Sequence, residues 1–60
     1  MTNDDREALQ NLSSRLRAEQ ADLLLSTAKS GALPTNSTLQ RVAQLELNIA
    51  AIENTLSDNE

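Results

Sequence analysis

Few side chains in this 60-residue sequence can do chemistry, so the first question is what their types and spacing allow. Two carboxylate pairs stand at helical spacing, Asp4 with Glu7 and Glu19 with Asp22. Paired carboxylates share acid and base roles only beside a concave site that holds a substrate, and so short a chain has no room to build one next to them. They read instead as a helix cap and as solvated charge. Cysteine and histidine are both absent, which removes thiol and Ser–His nucleophiles and the usual zinc ligands. Ser13-Ser14 and Ser26-Thr27 read as interior helix positions whose hydroxyls bond back to the preceding turn. A single glycine, Gly31, cannot form a phosphate-cradling loop. Asn36-Ser37-Thr38 matches the glycosylation triplet, with no secretion signal to support it. These residues point away from an enzyme, and neither cofactor nor metal is expected.

Charge narrows the partners. Nine acidic and five scattered basic residues give a net charge of −4 and leave no patch for a phosphate backbone, so nucleic acid is not expected. No run approaches the roughly 18 apolar residues of a membrane-spanning helix. The start, Met1-Thr2-Asn3-Asp4-Asp5, lacks the basic and apolar regions of a signal peptide. A cytoplasmic protein without membrane insertion is the expectation.

The elements that carry these residues turn on the stretch from Lys29 to Ser37, which holds the only glycine and the only proline. Gly31 suits a left-handed helix C-terminus, and Pro34 cannot continue a helix. Of Thr35, Asn36 and Ser37, Ser37 has capping-box spacing to Gln40 and is the predicted N-cap. At the start of the chain Thr2, Asn3 and Asp4 offer caps, and Asp4 with Glu7 has the same capping-box spacing. The pattern predicts an all-α fold, a two-helix antiparallel hairpin with helix 4–30, turn 31–36 and helix 37–57. The tail Ser57-Asp58-Asn59-Glu60 is expected to fray into solvent.

Two apolar stripes run along each helix. Leu9, Leu12, Leu16 and Leu23 share one face of the first, while Val42, Leu45, Ile49, Ile52 and Leu56 repeat at three and four residues on the second. An antiparallel pair joins positions whose numbers sum to a constant. Leu9 with Leu56, Leu16 with Ile49 and Leu23 with Val42 each sum to 65, and Leu12 with Ile52 comes within one. Leu45 is the mismatch, facing Glu19 and Gln20. The other stripes, Ala18, Ala21, Leu25 and Ala28 with Leu39, Ala43, Leu47 and Ala50, stay unburied and form the predicted partner interface. So small a chain, with no aromatic residue and no disulfide, needs a second surface to complete it. Either a homodimer, closing as a four-helix bundle with a regulatory or phage-related role, or a helical partner protein supplies it.

The layout resembles a known family. Leu39-Gln40-Arg41 followed by Ile49-Ala50-Ala51-Ile52, and the basic-small-Gly turn Lys29-Ser30-Gly31-Ala32-Leu33-Pro34, are similar to the small hairpin co-chaperones of type III secretion needle subunits. That resemblance implies a cytoplasmic subunit docked on a tetratricopeptide-type chaperone, the two together keeping the needle subunit unpolymerised. It implies no catalytic or ligand residue.

Overall fold

Two helices and one turn make up the structure, a computed structural model that describes residues 1–59. Helix α1 spans Asn3–Ser30 and α2 spans Asn36–Asp58, and they fold back on each other as an antiparallel hairpin measuring 44 × 15 × 13 Å. The reversal starts where α1 ends. Gly31 adopts φ 72°, the left-handed region that costs glycine nothing, and its N–H donates to Ala28 O at 3.4 Å. The Ser30 hydroxyl donates to Thr27 O at 2.8 Å and accepts the Ala32 N–H at 3.2 Å, so the first residue after the glycine is also held. Lys29 lies in the last turn, where the helix dipole favours a cation.

Both helices start earlier than the capping-box spacings suggest, and both caps are threonines. Thr35, not Ser37, caps α2: its hydroxyl accepts the Thr38 N–H at 3.2 Å, and its carbonyl accepts the Leu39 N–H at 3.0 Å. Asn36 and Ser37 then occupy the first two helical positions, whose N–H groups need no partner inside the helix. At the other start Thr2, not Asp4, is the cap, with its hydroxyl accepting the Asp5 N–H at 3.1 Å. Asp4 and Asp5 fall in the first turn instead, and there their charge favours the dipole. In each case the threonine hydroxyl takes the N–H three residues on, and the added residues, Asn3 and Asp4 or Asn36 and Ser37, remain exposed.

That seam follows the expected register and takes in every expected residue but Leu12, joined on α1 by polar ones. On α1 the positions turned inward are Arg6, Leu9, Ser13, Leu16, Gln20, Leu23 and Thr27, alternating three and four apart. Leu12 is displaced from it: 37% exposed, it lies outside the seam, while its neighbour Ser13 is buried at 7%. The reason lies across the interface, where α2 presents Ile49 and Ile52, bulky residues that a small Ser13 accommodates and a leucine would push away. The core is therefore lopsided. Leu45, Ile49 and Ile52 are its buried side chains, all from α2, and the leucines of α1 cover them from one side only. Leu45, the residue without an apolar match, is fully buried because Gln20 lies over it. Gln20 Nε2 donates to Glu46 Oε2 at 2.9 Å and to Val42 O at 3.4 Å, so its amide reaches past the core to polar groups of α2.

The free end is tied rather than frayed. Asp58 is still helical, and Asn59 closes α2 with its N–H on Leu56 O at 3.3 Å and its side-chain amide on Thr55 O at 2.7 Å. Arg6 of α1 donates to Asn59 O at 2.9 Å, supplying a cation to a helix end whose last turn has no basic residue of its own. Glu60 lies outside the described residues.

Candidate docking flank

The seam decides which way every other side chain faces. At 100° per residue, a residue that immediately follows a seam position turns onto one flank of the hairpin, and one that immediately precedes it turns onto the other. Two ion pairs mark the flanks. Arg17 follows Leu16, Glu53 follows Ile52, and the two pair with each other. Glu19 precedes Gln20, Arg41 precedes Val42, and they pair at 3.0 Å. Each of these side chains is about half exposed, so the pairs brace the edges of the seam without contributing much stability.

The flanks differ in chemistry. Beyond Glu19 and Arg41, the preceding residues include Arg15, Asp22, Gln44, Asn48 and Thr55, a largely hydrated face interrupted by Ala8, Leu12 and Ala51. The following residues, from the Arg17–Glu53 pair to the turn, are Ala21, Leu24 and Ala28 on α1 with Leu39, Ala43, Glu46 and Ala50 on α2. All are exposed, Leu24 and Leu39 each at 52%. Of these, Glu46 alone is charged, and its carboxylate is held to Gln20 beside the seam. The half of this flank nearer the turn is thus open and, apart from Glu46, apolar.

All eight residues of the predicted interface are exposed, but they are not one surface. Ala21, Ala28, Leu39, Ala43 and Ala50 share the apolar flank. Ala18 and Leu25 lie on the back of α1, and Leu47 on the back of α2, so these three face away from the seam on opposite sides of the hairpin. Leu24 is the residue that stripe-reading missed. It is legible only once Leu23 is known to be in the seam, because the residue after a seam position turns onto this flank.

An open groove of about 430 Å³ lies at the free end, lined by Met1, Asp5, Ala8, Leu9, Thr55 and Asn59. It offers one carboxylate and one hydroxyl, and the amide of Asn59 is already bonded to Thr55 O. Among the described residues no three Asp or Glu side chains converge as a metal site would require, and no helix is long and apolar enough to cross a membrane. Comparison of the chain with protein-family models, with curated proteins and with solved structures gives no match.

Proposed function

We propose that this chain is a non-enzymatic protein-interaction subunit that works by docking the flank of Leu24 and Leu39 on another helical surface. The observation that carries the reading is the pairing of that exposed apolar flank with a core of three buried apolar side chains among the described residues. A hairpin that leaves its larger apolar face in water gains most of its remaining stability from whatever covers that face. Ala21, Ala28, Ala43 and Ala50 let a second helix approach closely, Leu24 and Leu39 supply anchors, and Ala18, Leu25 and Leu47 lie outside this contact.

A finer reading, a cytoplasmic co-chaperone that helps a tetratricopeptide-type protein hold a type III secretion needle subunit soluble, is supported by the likeness of the turn and of residues 39–41 and 49–52. Its test is co-expression with those two proteins, which should give a soluble complex of all three that Leu39→Asp dissolves. The broader reading is tested inside cells with a photo-crosslinking residue placed at position 39 or at position 48. Adducts from position 39 and none from position 48 are expected. Equal adducts from both, or none from either, would remove the docking role.

A further inference from the structure

Resting on that reading, we propose that in the free protein the flank is covered by a second copy of the same chain. Two hairpins then pack flank on flank across a two-fold axis, giving a four-helix bundle whose second seam is built from Leu24 and Leu39 with Ala21, Ala28, Ala43 and Ala50. The first support is area. A 6.5 kDa chain folded as compactly as ordinary monomers exposes about 3,800 Å². This hairpin exposes 4489 Å², an excess of about 700 Å². A standard interface removes about 800 Å² from each partner, so one copy covering one copy restores the exposure of a compact domain. The second support is charge. Each chain carries −4 overall, and two copies meeting at random would repel. On the turn-proximal half of this flank the only charge is Glu46, hydrogen-bonded to Gln20, so each copy brings a single carboxylate to the contact rather than the excess its whole surface carries. An acidic partner finds nothing on that half to pair with, and a basic one finds a single carboxylate. The third support is periodicity: Ala21, Leu24 and Ala28 are three and four apart, as are Leu39, Ala43, Glu46 and Ala50, the spacing of a helical seam. Towards the free end the flank turns polar at Ser14, Arg17 and Glu53, so the two hairpins overlap by their turn halves and point their free ends apart.

The test is the solution mass of the full chain by light scattering over a wide concentration range, with helicity followed by circular dichroism. Twice the 6.5 kDa chain mass is expected, with helix lost as dilution separates the copies. Leu39→Asp, or the milder Leu39→Gln should the first unfold, raises the dissociation constant at least about tenfold, and Asn48→Asp leaves it unchanged. A fully helical species at the single-chain mass throughout would overturn the proposal. So would a dimer weakened by Asn48→Asp and indifferent to both Leu39 variants, because it would use the other flank. Position-39 adducts separate the two claims. In the purified chain an adduct between two copies supports this claim and its absence overturns it, whereas in cells adducts with a different protein leave the docking role standing and no adduct at all removes that role.

Discussion

Leucine occurs twice within three residues of α2, once at the centre of the core and once on the back of the helix, and this allows a matched experiment. Leu45 is 0% exposed and Leu47 is 70% exposed. Truncating a buried leucine to alanine costs about 2.7–5 kcal/mol, the lost transfer energy plus the cavity left behind. At roughly 0.05–0.15 kcal/mol per residue, a chain of this length has about 3–9 kcal/mol in all. Leu45→Ala therefore removes at least about a third of the stability and, at the upper end of its cost, unfolds the protein in buffer. Nothing else in the core takes its place, because Ile49 and Ile52 are the only other buried apolar residues among those described. Leu47→Ala removes the same atoms from water-exposed surface, and alanine is the slightly better helix former, so its effect stays within about 0.5 kcal/mol. Urea unfolding followed by circular dichroism at one fixed chain concentration measures both. With a slope of about 1 kcal/mol per molar, Leu45→Ala moves the midpoint down by about 3 M or more, and Leu47→Ala barely moves it. Equal shifts for the two variants would refute the assignment of the seam.

Other expectations concern the ends of the helices and their edges. Gly31→Ala meets no atom within 4 Å but forces a left-handed backbone on alanine, so it costs about 1–2 kcal/mol in thermal or urea unfolding, without a clash. Thr35→Ala loses the cap of α2 and costs about 1 kcal/mol, while Ser37→Ala is close to neutral, reversing the order expected from capping-box spacing. Glu53→Gln breaks the pair with Arg17 at a half-exposed site and costs less than about 1 kcal/mol, a loss that added salt diminishes further.

The hairpin itself is legible in the sequence because its signals are short-range. One glycine, one proline and stripes at three- and four-residue spacing fix two helices, their turn and the register of Leu16 against Ile49. Identifying the inner face is harder, since it depends on polar residues that no apolar stripe contains. Ser13, Gln20 and Thr27 take part in the seam because they fit beside the bulky residues of α2, and that fit exists only when both helices are present. Leu12 was misplaced for the same reason, and an error of one residue turns a side chain by 100°. The docking flank inherits that uncertainty. Its alanines are visible as a stripe, but Leu24 is hidden inside the run Leu23-Leu24-Leu25, where hydrophobicity alone does not rank the three. The caps fall on Thr2 and Thr35, whose hydroxyls accept the Asp5 and Thr38 N–H groups, and the capping-box spacings do not distinguish them from their neighbours.

Whether the flank is covered can be read residue by residue through hydroxyl-radical footprinting of the leucines in the full chain at working concentration. The isolated hairpin leaves Leu24 and Leu39 at 52% exposure, close to Leu25 at 55% and below Leu47 at 70%. A docked flank shields Leu24 and Leu39 well below Leu25 and Leu47. Oxidation of all four in proportion to those exposures would mean that the flank stands open in the free protein, and its coverage by a second copy would fall with it.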